Sequence, residues 1–174
     1  IDEEVKDFYQ NLPKEVGLVS PQNYQRPKFF TFTPLYSSVG VLGSMGPFFA
    51  EAQLNRDLLP VQLPFTYAHE FSHLLGVSNE AEANYWAYRA CTESDVQTMR
   101  YSGYMGLLPY VLSNASSLLT KEQFQEWVRA IRPEIIASYN ENRNYWKERY
   151  SPMIGEVQEV TYNLFLKGNQ IPSG

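Results

Sequence analysis

The only two histidines of this 174-residue chain stand four positions apart, in "PFTYAHEFSHLLGVSNEAEANYWAYRA" (Pro64–Ala90), and a glutamate directly follows the first. At 3.6 residues per turn, positions four apart fall on one helical face. His69 and His73 therefore project together and can hold one divalent ion through neutral imidazoles. Glu70 is offset by one position, so it reaches that ion less directly and is placed to act on a water there as a general base. Two ligands and a base within five residues make the HExxH pattern of zinc-dependent hydrolysis.

Zinc at an open catalytic site takes a third protein ligand and leaves one position for water. The chain has no further histidine, and its single cysteine, Cys91, reads as a small buried helix residue. The third ligand must then be a carboxylate, and Glu80 and Glu82 are the candidates. With Asn79 capping the second helix, Glu82 occupies the capping-box position and already has a structural task. Glu80 is left free, and Asn84 lies one turn on along the same face as an amide able to support a ligand. Glu80 is therefore the favoured ligand, for one zinc ion. Read as plain structure, Tyr67, Phe71, Leu74 and Leu75 form an ordinary apolar stripe with the histidines beside it. What favours a metal is the conjunction of the only two histidines, a well-punctuated helix and an acidic residue that returns at once.

These residues need elements to position them. "PFTYAHEFSHLL" has proline in its first turn and Gly76 just past its end, and "NEAEANYWAYRACTE" makes the next helix after a short turn. "DEEVKDFYQNLP" reads as a short opening helix. Only Lys28–Asn55 reads as sheet, two or three short strands broken by Pro34, Gly43, Gly46 and Pro47, the last around "PFFAEAQL". Beyond the histidines, "SDVQTMRYSGYMGLLPYVLSNA" predicts a helix that Pro109 should kink or end. "TKEQFQEWVRAI", "RPEIIASYNENRNYWKERYSP" and "IGEVQEVTYNLFLKGN" predict three more, the last stopping at Gly168. The expectation is one α+β domain over residues 1–174, with the sheet at about 28–60 and a mainly helical body at about 64–168.

Composition bounds the remaining classes. Hydrophobic residues make up 44% and charged residues 19%, a globular balance, and the formal net charge of −5 with no basic cluster argues against nucleic acid as a partner. A lone cysteine excludes a disulfide framework or a thiolate-rich zinc cluster. No segment reaches the ~20 apolar residues of a membrane span. The start at Ile1 and the end in "NQIPSG" lead to the expectation of a processed or trimmed piece of a longer protein.

HEFSH followed by NEAEAN resembles the gluzincin branch of the zincin metallopeptidases, in which HExxH is followed by Glu-x-x-x-Asp/Asn in the next helix. Glu80-Ala-Glu-Ala-Asn84 has that spacing, and the form is also similar to membrane-embedded CAAX-processing peptidases. A closer likeness is to an uncharacterised bacterial family of membrane-anchored HExxH proteins, carried by "PFFAEAQLN", "PFTYAHEFSHLLG" and "EAEAN" in that order, with a weaker tail in "YNLFLKGNQ". The resemblance implies a zincin-like fold with an edge strand over the active-site helix and a peptide or protein substrate laid along that strand. "PFFAEAQLN" would be the strand, with Glu51 and Asn55 as candidates to line the cleft. It also implies membrane helices before this piece and an extracytoplasmic place in the cell envelope.

Peptide hydrolysis by such a site needs a donor for the tetrahedral oxyanion. "MRYSGYMG" offers Arg100, Tyr101 and Tyr104, of which the two tyrosines are the candidates. Two other classes share the sequence: a zincin-like domain that holds zinc or regulates without cleaving, and a metal-free helical module that binds a partner through Trp86, Trp127 and Trp146.

Overall fold

Proline and glycine mark where most elements start and stop. The computed structural model describes residues 1–46 and 51–152. Helix α1 (Asp2–Gln10) opens with three acidic residues at the positive end of its dipole and buries Val5 and Tyr9. A 3-10 turn at Lys14–Val16 leads to strand β1 (Lys28–Phe29). Helix α2 (Thr33–Ser38) and strands β2 (Gly43–Met45) and β3 (Ala52–Leu54) follow. The stretch expected to be all sheet is thus interrupted by a helix. Pro34 falls in the first turn of α2, where its missing N–H removes no intrahelical bond and its fixed φ suits a helix.

The sheet is mixed and small. β3 lies in the middle, parallel to β1 (Phe29 opposite Leu54) and antiparallel to β2 (Gly43 opposite Leu54, Met45 opposite Ala52). The strand expected at the edge is therefore the central one, and β1 and β2 are the edge strands among the described residues. The expectation that "PFFAEAQLN" forms one continuous strand falls partly on residues 47–50, which lie outside the described residues. Ala52 and Leu54 are buried and Gln53 is half-buried, the alternation of a strand with one face on a core.

That core lies on helix α3 (Leu63–Leu74), which packs against β2, β3 and helices α4 (Glu80–Thr92) and α5 (Gln97–Leu118). Phe65, Tyr67, Ala68, Phe71 and Leu75 bury themselves against Val5, Tyr9, Leu54, Trp86, Ala87 and Met99. Tyr9 stacks on Phe71 and its hydroxyl donates to the Ala68 carbonyl at 3.1 Å. Two glycines let α5 approach closely: a Cβ on Gly103 would meet Cys91, and one on Gly106 would strike the Phe65 ring. Beside them, the buried Ser102 hydroxyl accepts the Phe65 N–H at 3.0 Å and satisfies a first-turn donor of α3. Cys91 is buried, and burial pushes its thiol up to about 12, so it acts as a small apolar residue.

Of two expected stops, one falls where the sequence places it and the other does not. Gly76 ends α3 at φ 104°, with Gly76 N–H on the His73 carbonyl and Val77 N–H on the Ser72 carbonyl, a Schellman turn. Pro109, by contrast, does not end α5, which runs on to Leu118. The proline withholds one N–H from the Met105 carbonyl, and the turns on either side are long enough to keep the helix going. Helices α6 (Lys121–Ala130) and α7 (Pro133–Arg149) complete the described residues, α6 opening on a Thr120–Gln123 capping box. α7 is tied back to the sheet region by Tyr145 Oη to the Asp57 carbonyl (2.8 Å) and Trp146 Nε1 to Gln62 Oε1 (2.9 Å). The helix expected over Ile154–Asn169, with its stop at Gly168, lies outside the described residues. No helix among the described residues is long and apolar enough to cross a membrane.

Candidate metal centre

On α3 the two histidines share the face that turns toward the start of α4. His69 Nε2 and His73 Nε2 stand 3.1 Å apart. Glu80, in the first turn of α4, brings Oε2 to 3.1 Å from His69 Nε2 and Oε1 to 3.6 Å from His73 Nε2. One atom of each of the three residues lies within 4.8 Å of the other two.

The remaining ring nitrogens decide what those atoms can do. His73 Nδ1 lies 2.7 Å from the Val77 carbonyl, which can only accept, so Nδ1 carries the proton. His69 Nδ1 donates in the same way to Asn84 Oδ1 at 2.9 Å. Each neutral ring then presents a bare Nε2, and two lone pairs face each other beside a carboxylate. Burial, and after it the neighbouring His73, lowers the His69 pKa and opposes a second proton there. A cation held between them would resolve this arrangement. Donors about 2.0–2.1 Å from a tetrahedral zinc stand about 3.3 Å apart, the separation around which these three atoms cluster. The donor set, two imidazoles and a carboxylate, also suits zinc.

Local sequence explains the two supports. The αL turn at Gly76 swings Val77 back over the end of α3, so its carbonyl meets His73. Asn84 follows Glu80 by one helical turn and therefore shares its face of α4. Asn79 caps α4 by accepting the Glu82 N–H at 3.0 Å. The Glu82 carboxylate does not complete the reciprocal bond; it accepts from Trp86 Nε1 at 3.2 Å and stays out of the cluster.

Glu70 lines the same cleft as the histidines on its β2 side, and is only 4% exposed. Gly43 lies opposite Leu54 in the ladder and so faces α3 with it. A Cβ on Gly43 would strike the Glu70 carboxylate, with Cδ and Cγ each at 2.7 Å. Glu70 Oε2 is buried with no hydrogen-bond partner among the described residues. Burial first, and the Glu80 charge second, push the Glu70 carboxyl up to about 8.

A cleft of about 1530 Å³ opens over these groups, lined by β2 on one side and by Phe65, Met105 and Tyr110 on another, with α7 contributing Tyr139, Arg143 and Lys147. Four residues expected from the sequence to serve the site are not in it, and each has a physical reason. Asn55 is fully buried, donating to Ser37 Oγ and the Val41 carbonyl and accepting the Asp57 N–H, so it locks the approach to β2 from within. Glu51 pairs with Lys28 across the sheet. Tyr101 and Tyr104 are 39% and 57% exposed. The inward face of α5 is set by Met99, Ser102, Gly103 and Gly106, and at 100° per residue positions 101 and 104 fall on its far side. Tyr104 packs on Tyr88, and Arg100 holds the Ser94 carbonyl.

Three participants escape a reading of the motif alone: the Val77 carbonyl, Gly43, and the α7 wall. Gly76 is the available signal for the first. The one-turn spacing of Tyr139, Arg143 and Lys147 is the signal for the last, but nothing in the spacing says that this face meets the histidines. No curated protein and no solved structure matches the chain. The model of a family described as "Protein of unknown function (DUF3810)" matches residues 1–174, and the chain belongs to that family.

Proposed function

We propose that this chain is a zinc-dependent metallopeptidase of the gluzincin type, with His69, His73 and Glu80 as metal ligands and Glu70 as general base. The observation that carries the reading is the pair of bare Nε2 atoms 3.1 Å apart, each ring locked through Nδ1 and both facing the Glu80 carboxylate. When bound, zinc supplies a Lewis acid that acidifies water and polarises a peptide carbonyl. Glu70 takes the proton from the attacking water and passes it to the leaving amine. Its buried, partnerless Oε2 supports that role over a zinc-holding domain that cleaves nothing, because a purely structural carboxylate has no reason to be stranded there. Gly43 leaves the space that Glu70 occupies. The edge of β2 that is unpaired among the described residues borders the cleft and is suited to pair with an extended peptide. Asn84 and the Val77 carbonyl keep the rings in the ligating tautomer.

The test is metal content of protein purified without chelator, followed by hydrolysis of a peptide library. One zinc per chain, lost in Glu80→Ala and retained in Glu82→Ala, is expected. Glu70→Gln should keep the metal and abolish cleavage. Full hydrolysis by Glu70→Gln, or no zinc taken up by the unaltered protein, would overturn the reading.

A further inference from the structure

The wall that α7 presents to the cleft is positively charged, against the sign of the chain as a whole. Tyr139, Arg143 and Lys147 follow one another at one-turn spacing and all line it. Like charges at that spacing weaken a helix, and among the described residues neither Arg143 nor Lys147 has an acidic partner. Arg143 lies 5.8 Å over the Tyr139 ring, which orients the guanidinium without neutralising it. The acidic residues of α7, Glu134, Glu141 and Glu148, do not line the cleft. The acidic residues that do line it, Glu70 and Glu80, both stand at the candidate metal centre. In a chain of formal net charge −5, the cleft then carries two cations that no acidic side chain among the described residues pairs, both on α7.

We propose that Arg143 and Lys147 select peptides by a carboxylate, borne by an acidic side chain or by a free C-terminus. This rests on the peptidase reading and names its substrate class. The reach follows from the anchoring of α7. Trp146 bonds Gln62, the residue before α3, and seven residues of helix separate Gln62 from His69. That is about 10 Å along the axis at 1.5 Å per residue. An extended peptide covers this distance in about three residues. The recognised carboxylate therefore lies about two to four residues from the bond that is cut.

The test measures binding and cleavage side by side on the zinc-loaded chain, by fluorescence anisotropy and mass spectrometry. One set of end-blocked peptides carries a single Glu, Gln or Lys scanned along an otherwise neutral sequence. A second set has no acidic side chain and ends in either a free carboxylate or an amide. At low salt, the carboxylate-bearing member of at least one set should bind about tenfold more tightly than its neutral counterpart, and salt should narrow the gap. Which set shows the gap identifies the source of the carboxylate. Arg143→Glu/Lys147→Glu should turn the preference toward Lys peptides, and Arg143→Gln/Lys147→Gln should remove it. Both positions are exposed, and circular dichroism checks the fold of each variant. Equal affinity within both sets, no peptide binding at all, or a preference that survives both double variants would overturn the inference. Charge-dependent binding without cleavage would instead sink the peptidase reading and leave the carboxylate site standing.

Discussion

Replacing Gly43 with alanine separates the base from the metal more cleanly than any change to the base itself. The added Cβ would stand 2.7 Å from Glu70 Cδ and Cγ and closer still to Oε1, and ordinary contact begins at about 3.4 Å, so the carboxylate or the strand must retreat by at least about 0.7 Å. Retreat is hard on both sides. β2 is held in register against β3, and Glu70 is 4% exposed between the sheet and α3. Misplacing a reacting group by about 1 Å costs on the order of a hundredfold in rate, so Gly43→Ala should lower kcat by roughly ten- to a hundredfold. Overpacking should cost about 1–3 kcal/mol of stability. Zinc stoichiometry should stay at one per chain, because the atoms nearest the added Cβ all belong to Glu70 and none to a ligand residue. The assay is peptide turnover with zinc content and a urea melt on the same preparation. Unaltered kcat in a zinc-replete Gly43→Ala protein would refute the placement of Glu70 as the base under the strand. Loss of zinc together with activity would refute the separation of the two functions.

Three further outcomes follow from other parts of the site and fold. Asn84→Ala leaves His69 Nδ1 without its acceptor and should weaken zinc binding by about ten- to a hundredfold in competition with a chelator, with the fold intact by circular dichroism. Gly76→Ala places a Cβ at φ 104°, with open space around it, so the cost is conformational and should be about 1–2 kcal/mol in urea melts. Because the same turn delivers the Val77 carbonyl to His73, zinc affinity should fall with it. Burial alone would raise the Asp2 carboxyl, but the hydrogen bonds from Tyr67 and Lys6 and the charges of Lys6 and Arg26 outweigh it and hold the pKa below 3.8. With the folded value below the unfolded one, this contribution is complete above about pH 3.8 and is lost as pH falls through the lower folded value. Asp2→Asn should accordingly flatten part of the acid limb of stability against pH, and an unaltered acid limb would count against the assignment.

The legible parts of this protein are those governed by local rules. Helical period places His69 and His73 on one face, Gly76 marks the end of α3, and Asn79 marks the start of α4. Elimination by residue type leaves only a carboxylate for a third ligand. Where expectation and structure part, the missing information is non-local. Thr33–Ser38 has strand-like neighbours, yet a proline in its first turn makes a helix there. Tyr101 and Tyr104 suit the chemistry and lie near in sequence, whereas the small residues beside them decide which way α5 faces. Glu51 and Asn55 go to an ion pair and a buried turn because β3, the strand beside them, is the centre of the sheet.

What the sequence determined by itself is a local matter: which residues share a helix face, where a turn must occur, and which side-chain chemistries are on offer. Tertiary structure alone decided that β2 is the strand beside the cleft, that Gly43 makes room for Glu70, and that α7 closes the far wall with Arg143 and Lys147. The physical reason is range. Dihedral preferences and periodicity act within a few residues, while strand order and the meeting of α3 with α7 depend on packing between segments far apart in the chain, such as the Trp146–Gln62 contact.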